Sequence, residues 1–527
     1  MKNRHDQILF WGCFIAIITT SYAFISRMIL CGGQFVTDFG LDKVSVGELQ
    51  GAGVWPFGVS IIVFSLFIDR IGYKVAMLFS FISYLIYTAM AFAAYGCIHG
   101  LTGDALIAGQ SHGYKLLFWG SIILGLGNGS VEAYANPIVA TMFNLDKTKW
   151  LNRLHAAWPG GMVLGGLCTI ALAHADWRIT LGLILIPALI FFFILISLKF
   201  PKSEREQAGV SYLAMLKELG AFGALVGFGL VFAQLFQVLI PAAWHWPNWA
   251  FWIPTGLVVL IFAAVTRSFG RLLLALIIII MMPQAITELG ISGWISSLME
   301  TPMAAAGYNS AWVLVYTSAI MMVLRLCAGP LLHKLSPPGL LAICSALAAI
   351  GLFALSRTNG AVMLVIFAAA TIYGVGASFF WPTILGLTTE QCPRGGALTL
   401  NAVGGIGMLA VGILGLPFIG YLQESSATTQ LASANPALYQ TVTVNKKYLL
   451  GDYQAIDPVK AAAVTDNNFN DQIKTATATG QFNALAKMVL FPVFTFACYL
   501  SLILYFKSKG GYKPVHLTMD RHDAGPN

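Results

Sequence analysis

Charge is what this sequence has least of. Only 10% of its 527 residues are Asp, Glu, Lys or Arg, against about 25% in a soluble domain. With 57% hydrophobic residues and a mean hydropathy of +0.76, that shortage excludes a water-soluble globular chain. It points to an all-α, multi-pass membrane protein with the lipid bilayer as its main partner. Paired cysteines are missing as well. The eight cysteines (13, 31, 97, 168, 327, 344, 392 and 498) contain no CxxC pair and lie in or beside apolar segments, so neither a disulfide framework nor a zinc site is expected. There is no His-Glu-x-x-His, no pair of carboxylates in a loop and no Walker lysine motif. These absences argue against a membrane enzyme and against direct drive by ATP, and no cofactor or metal is expected. The net charge of +8 is no nucleic-acid footprint, because the basic residues sit in short loops between apolar runs. The first apolar run, Ile8–Cys31, is too long for a cleavable signal and lacks a small-residue cleavage site, so it reads as a spanning helix.

What is present is organised around one stretch, Gly125-Leu-Gly-Asn-Gly-Ser-Val-Glu-Ala-Tyr-Ala-Asn-Pro137. It lies within an apolar run over 116–143, long enough to cross a bilayer. At its middle is Glu132, with no basic residue within a helical turn. A carboxylate at membrane depth costs several kcal/mol, so it normally faces a cavity and marks a solute or proton path. The preceding glycines let a neighbouring helix approach closely, and Pro137 invites a kink. The plainer alternative is a structural carboxylate hydrogen-bonded inside a bundle.

Taken in order, the apolar runs predict helices near 8–31, 46–68, 75–97, 116–143, 154–174 and from the turn at 175–178 to Lys199. A charged linker over 199–217 follows, then two extra runs at 222–240 and 250–265 that contain no Asp, Glu, Lys or Arg. A tryptophan-rich turn, Pro241–Trp249, joins them and suits the headgroup region. The pattern of six then resumes near 272–297, 309–332, 339–356, 361–386, 396–421 and 485–506. The sum is fourteen helices, arranged six, two and six. The expected divisions are an N-terminal half over 1–203, a linker with the inserted pair over 204–268, a C-terminal half over 269–507 and a tail over 508–527. Lysine and arginine gather in alternate links, among them Arg70, Lys74, Lys147, Lys149, Arg153, Lys199, Arg267, Arg271 and Lys334. That bias predicts both termini in the cytoplasm of a cell membrane, inner or plasma. A polar loop over 423–484, with five acidic residues against four lysines, falls outside and carries no catalytic signature. Loops of this length are functional or partly disordered.

The two sets of six look like repeats. Asn152-Arg-Leu-His155-Ala-Ala-Trp-Pro-Gly-Gly161 matches Leu398-Thr-Leu-Asn401-Ala-Val-Gly-Gly-Ile-Gly407, and Gly125-x-Gly127 before Pro137 matches Gly374-x-Gly376 before Pro382. Two related halves with a site between them is the plan of an alternating-access carrier. The turn Asp69-Arg-Ile-Gly-Tyr-Lys74, placed after the second helix, resembles the signature Gly-x-x-x-Asp-Arg-x-Gly-Arg-Arg of the major facilitator superfamily. Ser65 replaces the first glycine and Tyr73-Lys74 the arginine pair. The resemblance covers about 8–421 and 485–506 and implies the major facilitator fold, here with two extra transmembrane helices between the halves. It also implies a gating role for Asp69, Arg70, Gly72 and Lys74. Within the superfamily the sequence is most similar to the fucose-permease branch of sugar:proton symporters. The shared features are Glu132, Asn136-Pro137, the Asn152-x-x-His155-Ala opening and Glu288-Leu-Gly-Ile-Ser-Gly-Trp294. That branch has a second acidic residue in the first helix, where this chain has Arg27.

The resulting candidates are Glu132, His155 and Glu288 for proton coupling, and Arg27, Asn136, Trp158, Trp294, Trp381 and Asn401 for substrate. Arg325, near the end of its helix, is a candidate gate. Plainer roles stand beside these: Arg27 within two turns of a helix end can snorkel to the surface, His155 can bond to backbone, and tryptophans can be belt or packing residues. The expectation is a secondary active transporter, monomeric, moving a sugar or similar small polar solute together with protons. A small organic anion carrier, with Arg27 and Arg325 as countercharges, and a multidrug/proton antiporter are the alternatives. The Gly-Pro motif expected of an antiporter is replaced here by Trp158-Pro-Gly-Gly161.

Overall fold

The computed structural model describes residues 4–515 except 42, 173, 203–206, 240–246, 248, 449–450, 458–459 and 462. Most of the tryptophan-rich turn, and part of the charged linker, lie outside the described residues. Twelve helices among those described are long and apolar enough to cross a membrane. They are α1 (Arg4–Cys31), α2 (Glu48–Ile71), α3 (Tyr73–Gly96), α4 (Gly103–Met142), α5 (Lys147–Ala171), α6 (Trp177–Ile196), α7 (Tyr212–Phe236), α9 (Leu272–Ala305), α11 (Pro337–Leu355), α12 (Met363–Gln391), α13 (Pro393–Ala434) and α14 (Asn467–Ser508). Two shorter apolar helices, α8 (Trp252–Thr266) and α10 (Ala311–Leu326), complete the order. At 16 residues α10 spans about 24 Å, and a bend at Cys327–Ala328 separates it from a further turn over Gly329–Lys334. Arg325 therefore stands before a bend, and not one turn inside a continuous helix ending at 332.

The first and last described segments reach the same face. Near the N-terminus the Phe10 ring packs 5.3 Å from Trp150 and 6.2 Å from Phe143. Near the C-terminus the Tyr512 hydroxyl donates to Glu390 at 2.6 Å, and Glu390 in turn accepts from Thr148. This side is called the terminal face below.

Glycine sets the closeness of the packing where helices cross. A Cβ on Gly129 of α4 would stand 2.3 Å from the Phe57 carbonyl of α2, and one on Gly376 would stand 2.3 Å from the Ala348 nitrogen of α11. At these positions the missing side chain is what lets the backbones touch.

Two regions differ from the expectation. The links predicted as polar loops before 116 and over 423–484 are largely helical. Helix α4 starts at Gly103 and runs 40 residues, about 60 Å, well beyond a bilayer core. Beyond the opposite face, α13 and α14 extend together and enclose a small second core of Leu431, Leu438, Val442, Ile473 and Ala476. A two-stranded antiparallel hairpin, β1 (Thr443–Tyr448) with β2 (Gly451–Ile456), closes that core, with Thr443 opposite Ile456. Glu424 accepts from the Ile456 amide at 3.0 Å, and Asn435 caps the short helix Pro436–Val442. The region is a folded module. Its low hydropathy hid the helices because only one narrow stripe of each is buried.

The module sits on the C-terminal half alone among the contacts described. Gln481 of α14 donates to Ser297 of α9 at 3.0 Å and accepts from Thr301 at 3.2 Å.

Helix α7 leans on both α2 and α13. The Tyr212 hydroxyl donates to the Leu66 carbonyl of α2 at 2.6 Å, and Gly227 lies near both Ile62 of α2 and Ile406 of α13. At its start α7 is tied to the start of α9 by Glu218–Arg271 at 3.0 Å and by backbone bonds from Ala221 and Phe222 to Ser268 and Phe269. Gly220 and Gly270, at φ 63° and 107°, permit that approach.

A buried carboxylate–amide–imidazole chain and a broken-helix ion pair

A narrow cavity lies between the halves, lined by Phe57, Glu132, His155, Trp158, Glu288, Leu289, Arg325, Trp381 and Met408. Every one of its four ionisable side chains is at most 2% exposed. Buried groups of this kind persist only when they are paired and hydrogen-bonded, and the helices supply the partners by being interrupted.

On the N-terminal side, Glu132 and Asn136 are one turn apart on α4, so their side chains share a face. The Asn136 amide donates to Glu132 Oε2 at 2.7 Å, and its oxygen lies 2.9 Å from His155 Nε2. Because the amide nitrogen is spent on the carboxylate, the amide oxygen faces the imidazole and assigns the proton to Nε2. Glu132 Oε2 and His155 Nε2 are themselves 3.8 Å apart. Among the described residues no arginine is bonded to Glu132. Trp158 leans on Phe24 and Phe57, with ring centroids 5.8 and 5.9 Å away, and its indole N–H has no hydrogen-bond partner among the described residues.

On the C-terminal side, α12 breaks at Ser378–Phe379, between Met363–Ala377 and Phe380–Gln391. Pro382 has no N–H to give to the carbonyl four residues earlier, Ser378. Arg325 Nε takes that carbonyl at 2.5 Å, while Glu288 Oε2 takes the Trp381 amide at 2.9 Å. The same two side chains are bonded to each other, Arg325 Nη2 to Glu288 Oε1 at 2.5 Å. One ion pair thus satisfies both ends of a helix break. Glu288 reaches it from a π-helical turn, Ile286–Gly290, that follows Pro283 in α9. Gln284 also serves the break, donating to the Phe380 carbonyl at 2.9 Å and accepting from Tyr499.

The remaining candidates fall elsewhere. Arg27 is not at the cavity: its guanidinium donates to the carbonyls of Leu49 and Gln50 at 2.7 and 2.9 Å, where α2 is interrupted before Pro56. It neither snorkels nor meets Glu132, because the carbonyls of that interruption take its donors first. Trp294 donates to the Leu416 carbonyl at 3.2 Å and joins α9 to α13 outside the cavity lining. Asn401 donates to the Ala133 carbonyl of α4 at 3.0 Å and does not line the cavity. Asp69 is half-buried at the end of α2, Lys74 is exposed, and the Arg70 guanidinium lies 4.5 Å from the Tyr212 ring. Gly72, at φ 83°, turns the chain from α2 into α3. Phe57, Leu289 and Met408 line the cavity without having been candidates; Pro56-Phe57-Gly58 was the available signal, a helix interruption at membrane depth.

Both ends of the cavity are closed. Toward the terminal face, the Thr148 amide donates to Glu390 at 3.3 Å, its hydroxyl donates to the same oxygen, and Asn152 donates to Thr383 at 3.1 Å. Near these contacts lies a second, small cavity, lined in part by Pro137, Lys147, Thr389, Cys392, Gly396 and Leu400. Toward the opposite face, a Cβ on Gly412 would stand 2.9 Å from Val54, and one on Gly166 would stand 2.9 Å from Val315.

The Major Facilitator Superfamily model matches residues 9–416. No curated protein matches the sequence. Among solved structures, the chain is similar to the proton:xylose symporter XylE bound to 6-bromo-6-deoxy-D-glucose, with 14% identity over 82% of this chain and 91% of that one and a TM-score of 0.57. It is similar to a single-residue variant of the E. coli fucose:proton symporter FucP, at 14% identity over 93% and 99% of the two chains with a TM-score of 0.51. The human organic anion transporter MFSD10 (TETRAN) aligns at 12% identity over 94% and 99%, with a TM-score of 0.54. At such identities these likenesses speak for the fold. With the family match across most of the chain and the two-half helical architecture, they lead to one conclusion: this multi-pass membrane protein belongs to the major facilitator superfamily.

Proposed function

We propose that the chain is a secondary active transporter that carries a sugar or similar small polar solute by alternating access, with proton symport. The observation that carries this reading is a buried cavity between the halves whose Glu132 is bonded to no arginine among the described residues and is bridged to His155 by Asn136. A carboxylate so placed can take up and release a proton as its access to water changes, because burial and exposure move its proton affinity in opposite directions. The aromatic walls Phe57, Trp158 and Trp381 suit the flat faces of a ring, and the unpartnered Trp158 N–H suits a hydroxyl. The small-anion alternative loses its countercharges: Arg27 is spent on backbone, and Arg325 is neutralised by Glu288.

The same reading has all fourteen helices crossing a cell membrane, six in each half and α7–α8 between, with the terminal face cytoplasmic and a monomer as the working unit. The divisions at 203, 268 and 507 follow from it. Uptake by proteoliposomes under an imposed pH gradient tests the proposal. Accumulation of a sugar that collapses with the gradient is expected; no uptake of any sugar with or without a gradient would refute it.

On the terminal face, Thr148 and Glu390 would form the gate. Replacing Thr148 by valine should raise several-fold the labelling rate of a cysteine placed at Thr389, which lines the second cavity. An unchanged rate would remove Thr148 from the gate. The Asp69→Asn change should act in the same direction, and the same labelling checks it.

A further inference from the structure

Prolines 137, 159 and 382 each free the carbonyl four residues earlier, and all three carbonyls have found the same kind of partner. A proline cannot donate to that carbonyl, so the helix leaves one acceptor exposed at each site. Pro137 of α4 frees Ala133, whose carbonyl accepts from Asn401 of α13 in the other half at 3.0 Å. Pro159 of α5 frees His155, whose carbonyl accepts from Arg325 Nη1 of α10, again across the halves, at 2.9 Å. Pro382 of α12 frees Ser378, whose carbonyl is held by the Nε of that same Arg325. The two cross-half bonds flank the cavity, and each leads directly to its chemistry. Ala133 adjoins Glu132, and His155 and Arg325 line the cavity themselves.

We propose that these proline-freed carbonyls are the latch that holds the two halves together around a closed cavity, with Arg325 and Asn401 as its positioning residues. This rests on the alternating-access reading. Arg325 is suited to the task because its planar fork bonds three acceptors at fixed angles, two on one half and one on the other. Its engagement with the His155 carbonyl is set by Glu288, which fixes the fork, and by Pro159, which supplies the acceptor. An opening motion must break both cross-half bonds, while the Arg325–Glu288–Ser378 cluster lies wholly in the C-terminal half and can move as one body.

The substitution that tests the latch leaves both donors in place. Pro159→Ala and Pro137→Ala restore an N–H to the helix and return the His155 and Ala133 carbonyls to their own ladders. The readout is the distance between spin labels at Lys74→Cys and Lys507→Cys, exposed residues of opposite halves on the terminal face. The full chain is used, with the accessible cysteines 97, 168, 327 and 498 replaced by serine. Loss of one charge-assisted bond should raise the open population about tenfold in Pro159→Ala, and loss of a neutral one about fivefold in Pro137→Ala. Asn401→Leu should match Pro137→Ala, and it keeps the test alive should a proline variant fail to fold. Pro187→Ala, in α6 and away from the cavity, should not shift the distances. Proline variants and Asn401→Leu indistinguishable from Pro187→Ala, while Glu390→Gln does open the protein, would overturn the latch and leave alternating access standing. Distances fixed in every variant, Glu390→Gln included, and at saturating sugar would overturn alternating access and the latch with it.

Discussion

Replacing Glu132 by glutamine is expected to abolish proton-driven accumulation while leaving exchange of solute across the membrane intact. Glutamine keeps the size of the side chain and can still accept from the Asn136 amide, which now bonds Glu132 at 2.7 Å. What it cannot do is carry a proton across. With one proton per solute, each unit of pH gradient supports about tenfold accumulation, so the variant should fall from that ratio to none. Exchange requires only binding and alternation, and those depend on the aromatic walls and the closures at either end. Loss of both activities would reassign Glu132 to binding or to structure. Retained uphill transport would remove it from the coupling step. His155→Gln should retain accumulation if the imidazole, 3.8 Å from the carboxylate, takes no part in the coupling step.

Removing Arg325 should have the largest effect on stability of any single change in the chain. Arg325→Ala leaves Glu288 buried without its cation and strips partners from the carbonyls of Ser378 and His155. Breaking one side of a buried ion pair costs about 3–5 kcal/mol, and the orphaned carbonyls add to it. Glu288→Gln should cost less, because an amide oxygen can still accept from Arg325 or from the Trp381 N–H. The double change Glu288→Gln with Arg325→Gln should recover part of the loss, since no net charge is then left unpaired. Thermal unfolding in detergent, followed by tryptophan fluorescence, ranks the three. An Arg325→Ala protein melting within about 2 °C of the parent would show that the pair contributes little to the fold.

Most of the spans were legible because a bilayer demands long apolar runs and punishes exceptions. The same penalty made Glu132, His155, Glu288 and Arg325 visible as candidates one by one. The pairing of Glu288 with Arg325 was not legible. Glu288 meets Arg325 only because α9 carries a π-turn, α10 bends at Cys327 and α12 breaks at Ser378, and each shift rotates a side chain by an amount no periodicity records. Arg27 illustrates the opposite case. It was placed among the substrate ligands, whereas the broken start of α2 offered it two carbonyls closer at hand. Asn401 was singled out as a substrate ligand through its place in the repeat, yet its amide is used to hold α4. The module beyond α13 escaped because its helices are polar on most of their surface and its core is small.

That module has a practical consequence for imaging. Helix-only membrane proteins of 56.8 kDa are hard to orient in electron cryomicroscopy, since a detergent belt hides most of their outline. Here a hairpin and two projecting helices stand clear of the belt on one side and are fastened to one half through Ser297 and Thr301. Such a protrusion is an alignment mark supplied by the chain itself, and because it belongs to one half, its tilt against the belt would report the rocking angle particle by particle.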